Sequence, residues 1–229
     1  EFGIQCTYHR RGCGRRGWCR AMSITRVGVL VSGGGTNLQA LMDAIETQGI
    51  PAQIEVVISN KEKAFALERA RKKGIPAIYI NPKKFFARDD YDQQIKHIMD
   101  EKKIDLIVLA GYLSILGKKF VQSYQNRIIN IHPSLIPSFC GPGFYGDRVH
   151  QAVLDYGVKV SGATVHFVDE GTDTGPIILQ ECVPVLQDDD IRSLANRVLK
   201  VEHRILPKAV KLFAEGRLQI ISRRVFIRD

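Results

Sequence analysis

Tryptophan occurs once and methionine three times in the 229 residues. Apolar stretches such as Ile104–Ala110 stop well short of the ~20 residues that a membrane helix needs. Five cysteines, an odd number without framework spacing, do not form a disulfide scaffold and suggest a reducing, cytoplasmic setting. Internal repeats and low-complexity linkers are absent. No Gly-Lys-Ser/Thr follows the glycine-rich loop, which excludes a Walker loop, and there is no Gly-x-Ser-x-Gly nucleophile elbow. What remains is an ordinary globular composition, 45% hydrophobic and 25% charged, long enough to bury one large core.

The net charge is +9, and it is unevenly placed. Arg10, Arg11, Arg15, Arg16 and Arg20 crowd the first 21 residues against Glu1 alone, together with Cys6, Cys13 and Cys19. That segment has no hydrophobic period of either kind and no apolar core of the sort a secretory signal carries. The spacing of Cys6, His9, Cys13 and Cys19 matches no zinc pattern. Residues 1–21 therefore read as a disordered or non-native tail, and residues 22–229 as one folded domain. The mild positive charge left on the body suits an anionic small molecule and argues against a nucleic-acid footprint.

Strand and helix patterns alternate along the body. Val27–Val31, Ile54–Ser59, Pro76–Ile80, Ile104–Ala110 and Arg127–Ile131 read as strands. Between them, Leu38, Leu41, Met42 and Ile45 mark one helix by their spacing, Lys61–Lys73 a second, Asp89–Lys103 a third and Ile115–Tyr124 a fourth. This rhythm predicts an α/β fold with a doubly wound, mostly parallel sheet. Pro133–Tyr145 reads as a loop, Asp147–Asp155 as a short helix, and Val158–Val168 and Pro176–Pro184 as strands. A long helix over Ile191–Ala214 and a hairpin of Leu218–Ile221 with Arg224–Ile227 close the chain. Ligands of such sheets bind where loops leave the carboxyl ends of strands.

Two motifs lie at those ends. Ser32-Gly33-Gly34-Gly35-Thr36-Asn37 runs from the first strand into a helix, where unpaired N–H groups favour an anion. It reads either as a phosphate cradle or as a tight turn with no ligand. Strand two ends in Ser59-Asn60 rather than an acid, which makes a dinucleotide site a poor fit. The second motif is Asn130-Ile131-His132-Pro133. Residues i and i+2 of a strand share a face, so Asn130 and His132 project together. An amide donor beside an imidazole suits a carbonyl oxygen that gains charge, and Asp173, flanked by Gly171 and Gly175, can fold over that edge and raise the imidazole's pKa. The competing reading is a hydrogen-bonded structural histidine. His132, Cys140, His150 and His166 lack compact ligand spacing, so no metal is expected.

Beyond these readings, Val31–Ala40 (VSGGGTNLQA) resembles the opening of the phosphoribosylglycinamide formyltransferase family of purine synthesis. Leu109–Leu113, Asn130–Pro137, Asp173–Ile177 and Glu202-His203 match in order, so the resemblance covers about residues 24–220. It implies a single Rossmann-like formyltransferase domain that moves the formyl group of 10-formyltetrahydrofolate to an amine without metal. Asn130, His132 and Asp173 would be catalytic, with His132 cationic. Gly35, Thr36 and Asn37 would hold the substrate's phosphate, and Glu202 its amine end. Arg88, Leu113, Ser114, Ile115, Leu116, Val168, Asp169 and Glu170 would hold the folate. Small molecules are then the expected partners of a monomer or homodimer, with no nucleic acid or membrane. Two departures stand out: Ser114 replaces the arginine of well-known members, and the Cys140–Gly146 stretch is longer than the common pattern.

Overall fold

The structure, a computed structural model, describes residues 24–229, so the expected tail and the domain start at Met22 lie outside the described residues. In chain order the elements are β1 (Thr25–Val31), α1 (Thr36–Gln48), β2 (Ala52–Ser59), α2 (Phe65–Lys72), β3 (Ala77–Tyr79) and α3 (Arg88–Glu101). There follow β4 (Leu106–Leu109), α4 (Lys118–Ser123), β5 (Ile128–His132), α5 (Asp147–Tyr156), β6 (Val160–Phe167), β7 (Ile177–Pro184), α6 (Ile191–Ala214), β8 (Leu218–Ile221) and β9 (Arg224–Ile227). They build one sheet of order β3-β2-β1-β4-β5-β6-β7-β9-β8. The block from β3 to β5 is parallel, and the sheet turns antiparallel where β6 pairs with β5. β7 and β9 pair in parallel through Ile177 and Arg224.

Alternation along the central strands distributes side chains to two cores. Val27, Val29 and Val31 of β1, with Leu106 and Val108 of β4, face a core built with α1, α2 and α6. Leu30, Ile107 and Leu109 face the other, against Tyr91, Ile95 and Met99 of α3 and Phe120 of α4. In β2 the parity flips: Ala52 and Ile54 face the first core, while Val56 and Ile58 face the second. The cause is a bulge where Val27 pairs with Ile54 but Gly28 with Val56. At Gly28 a Cβ would lie 2.4 Å from Met99 Sδ, so glycine lets α3 pack against the sheet.

Two helices are shorter than their periodicity suggested. Residues 61–63 form a turn rather than the start of α2, because Ser59 Oγ accepts from Lys61 N at 3.0 Å and Ala64 N reaches Lys61 O at 3.2 Å. Residues 115–117 are loop rather than the start of α4. Gly117 N donates to the buried Asp92 side chain at 2.6 Å, and Ile115 stays 68% exposed. The long helix α6 starts from a capping box, in which Asp190 and Ser193 each accept from the other's backbone. No helix among the described residues is long and apolar enough to cross a membrane.

Candidate active site

A cleft of about 470 Å³ opens at the carboxyl edge of the central strands. This is the size range of small-molecule sites. Asn130 and His132 reach it from β5, as their shared face requires. Asp173 reaches it from the β6–β7 loop, where it holds a left-handed backbone at φ 58. Its Oδ2 lies 3.6 Å from His132 Nδ1, and its Oδ1 3.5 Å from Asn130 Nδ2. The expected trio is therefore assembled.

The hydrogen bonds around the trio assign its polarity. Gly141 N donates to Asp173 Oδ2 at 2.9 Å. His132 Nε2 lies 3.1 Å from the Phe139 carbonyl, and Asn130 Nδ2 lies 3.1 Å from His166 Nε2. His166 Nδ1 is in turn 2.8 Å from Phe167 O. A carbonyl oxygen only accepts, so His166 carries hydrogen on Nδ1 and receives the Asn130 amide on Nε2. That leaves the second Asn130 N–H, at the outer limit of contact with Asp173, for a ligand.

Burial works against the expected charge on His132. Burial pushes its pKa down, outweighing the upward pull of Asp173 and the Phe139 carbonyl. At 4% exposure, burial favours the neutral imidazole over the cationic one. Burial also works on the Asp173 carboxyl, upward, but the facing His166 and His132 rings and the Gly141 N–H, each of which favours the carboxylate, together hold it below the ordinary carboxylate range.

The remaining expected residues divide into three groups. Asn37 and Glu202 line the cleft, and Asn37 Nδ2 donates to Glu202 Oε2 at 2.6 Å. Asn37 Oδ1 is buried without a partner, which leaves one acceptor for a ligand donor. Burial pushes the Glu202 carboxyl up, against the stabilising Asn37 bond. Leu113, Ser114, Ile115, Leu116, Val168 and Asp169 are also part of the cleft wall. Ser114 Oγ accepts from Asn60 Nδ2 at 3.1 Å, and Asn60 accepts from Ser32. The position that departs from arginine thus ties its loop to the ends of β1 and β2.

Four expected residues lie off the wall. Gly35 and Thr36 sit at the start of α1, outside the cleft lining. Gly35 has φ 71, and a Cβ there would stand 2.5 Å from that of Ala66. Helix packing demands this glycine, whereas Gly33 and Gly34 face open space. Glu170 turns outward to Gln122 and Lys118. Arg88 packs over the Tyr91 ring with its Nε 3.1 Å from Asp92 Oδ1. Missing from the sequence reading were His166 and His150 as cleft residues, whereas the loop over the site, residues 141–147, lines the cleft. His166 becomes Asn130's neighbour only through the β5–β6 register, which no local spacing displays. Among the described residues no three His, Cys, Asp or Glu side chains cluster in a way that could hold a metal ion.

An α/β sheet with a cleft at the carboxyl edge defines the class, a single-domain small-molecule site of the doubly wound kind. Residues 25–210 match the family model described as formyl transferase, and the chain belongs to that family. It is 42% identical over 192 residues to phosphoribosylglycinamide formyltransferase of Escherichia coli K12, covering 84% of this chain and 88% of that protein. It is 45% identical over 195 residues to the human trifunctional purine biosynthetic protein adenosine-3, covering 85% of this chain. There the chain spans only 19% of the relative's length. Among solved structures, glycinamide ribonucleotide transformylase 1 from Symbiobacterium toebii superposes with a TM-score of 0.86 at 44% identity, covering 95% of this chain and 100% of that one.

Proposed function

We propose that this chain transfers the formyl group of 10-formyltetrahydrofolate to the glycyl amine of 5'-phosphoribosylglycinamide. The observation that carries the reading is the meeting of Asn130, His132 and Asp173 in one cleft. On one side lie Asn37 and Glu202, a polar pair suited to an amine-bearing substrate. On the other, Leu113–Leu116 and Val168–Asp169 offer an apolar slot with backbone edges, suited to a flat heterocycle. Family membership and the named relatives point to the same chemistry.

In this reading Asn130 donates its free N–H to the formyl oxygen as that oxygen gains negative charge. His132, resting neutral, accepts the proton released by the attacking amine and passes it to the departing nitrogen. Asp173 stabilises the transient imidazolium. Both substrates held in one cleft supply proximity, which is worth several kcal/mol. The phosphate end would lie beyond Asn37, toward the open backbone of Gly33 and Gly34. Arg88 and Glu170 would act at the rim, where a long folate tail leaves the cleft.

The test is consumption of 10-formyltetrahydrofolate with and without 5'-phosphoribosylglycinamide. Acceptor-dependent consumption with formation of the formylated product supports the transferase. Consumption that ignores the acceptor replaces it with a deformylase, in which water takes the amine's place.

A further inference from the structure

The turn that follows β5 touches two members of the trio with opposite polarity. Phe139 offers a carbonyl to His132 Nε2 at 3.1 Å, and two residues on Gly141 offers an N–H to Asp173 Oδ2 at 2.9 Å. The turn is internally tied: Ser138 N reaches Leu135 O at 2.9 Å, and Ser134 Oγ reaches Ser138 O at 2.6 Å. Phe139 itself holds φ 52, a left-handed conformation costly for a bulky side chain. Such strain persists only where surrounding contacts over-determine it, and it clusters at functional sites. The Phe139 ring is restrained by packing against the main core and, edge-on, against Tyr156 at the end of α5, centroids 5.9 Å apart at 79°.

We propose that Phe139 is a positioning residue whose carbonyl holds His132 as the Nε2–H tautomer, so that the proton of the reaction arrives and leaves at Nδ1, facing Asp173, with Tyr156 as the remote anchor. The chemistry follows from one constraint. A carbonyl oxygen cannot donate, so the nitrogen that faces it carries hydrogen in both the neutral and charged rings. The lone pair of neutral His132 is then confined to Nδ1, 3.6 Å from Asp173 Oδ2. Without the carbonyl both tautomers form, and the population with its lone pair on Nε2 aims away from the carboxylate. This assignment rests on the proposed formyl transfer for its kinetic part but not for its tautomeric part.

The experiment combines ¹⁵N-histidine NMR with kinetics on the full chain. His132 is assigned by its disappearance in His132→Gln, and its ring-nitrogen shifts are read above its pKa. The expected wild-type state is Nε2–H. Tyr156 is exposed, so Tyr156→Ala leaves the fold intact; it and Phe139→Ala should each yield mixed tautomers. The kcat of each should fall roughly two- to tenfold, the scale of an edge-to-face aromatic pair, with both KM values unchanged. The double variant should be no slower than the slower single, and Phe139→Tyr should retain both tautomer and rate. A wild-type Nδ1–H tautomer overturns the assignment, as does a Tyr156→Ala protein with wild-type tautomer and kcat. If the wild type transfers no formyl group yet loses its Nε2–H tautomer in Tyr156→Ala, the proposed activity fails and the positioning role stands.

Discussion

Replacing Asp173 by Asn keeps the side chain's shape and removes its charge. The backbone tolerates the change, since Asp173 sits at φ 58 and Asn is among the residues most at ease there. The amide oxygen can still accept from Gly141 N, now 2.9 Å from Oδ2. What disappears is a negative charge 3.6 Å from His132 Nδ1. At an effective dielectric near 20, two unit charges at that separation attract by about 4.6 kcal/mol. The attraction exists only while the imidazole is charged. Because burial disfavours a charge on the resting ring, that moment belongs to the transition state in the proposed mechanism.

The expected loss in kcat is therefore on the order of 10³-fold at most, at 1.36 kcal/mol per decade. After solvent relaxation at the open cleft it should be about 10²-fold, with both KM values little changed. The assay is steady-state formyl transfer, with calorimetric binding of each substrate as the control for folding. Asp173→Ala provides the contrast. It leaves Gly141 N without its partner and strains the left-handed position, costing roughly 1–3 kcal/mol of stability as well. An Asp173→Asn enzyme that keeps more than half of wild-type kcat would remove the carboxylate from proton movement and sink the mechanism.

Further outcomes follow from burial and charge. Glu202→Gln should stabilise the fold at pH 8, because burial raises this carboxyl's pKa and Gln needs no ionisation to accept from Asn37. Stability lost as pH rises through the raised pKa is regained, so the gain in Tm should vanish near pH 4, while the KM of the amine substrate rises; equal Tm at both pH values would refute the reasoning. Gly35→Ala should cost about 2 kcal/mol or more in urea unfolding through its positive φ and the Ala66 contact, and an unchanged midpoint would place the strain elsewhere. Burial depresses His132, His150 and His203 below 6.5, so the unfolded chain binds protons first as pH falls. Stability should decline below pH 6.5, by up to about 1.4 kcal/mol per pH unit for each histidine. His150→Gln should flatten that decline, and a wild-type urea midpoint constant from pH 7 to 5 would contradict it.

Local patterns carried much of this architecture. Tyr91, Ile95, Ile98 and Met99 repeat at helical spacing, and α3 buries all four. The bounds of α6 and of the terminal hairpin coincide with their sequence signals because caps and turns at their ends are local. The starts of α2 and α4 did not show. The turn at Ser59–Lys61 and the bond from Gly117 to Asp92, 25 residues away, compete with helix in ways hydrophobic spacing does not register. In the site, Asn130 and His132 were legible from the pleat alone. The burial that works against a charge on His132 was not, since it depends on how deeply β5 and its loop are covered.

The reversal of the sheet at β5 explains why the missed residues gather in one place. A parallel neighbour would set its own carboxyl end beside Asn130 and leave its side chains to solvent. β6 runs back instead, placing His166 opposite Asn130 and Thr164 opposite His132. His166 then orients the Asn130 amide. Thr164 fixes the start of the loop after β5, since its hydroxyl donates to Ser134 O at 2.6 Å and accepts from Ile136 N at 3.1 Å. That loop goes on to present the Phe139 carbonyl and the Gly141 N–H to His132 and Asp173. One antiparallel strand thus sets the amide directly and the imidazole and carboxylate through the loop it anchors. The polarity of all three groups depends on a pairing between residues more than 30 positions apart.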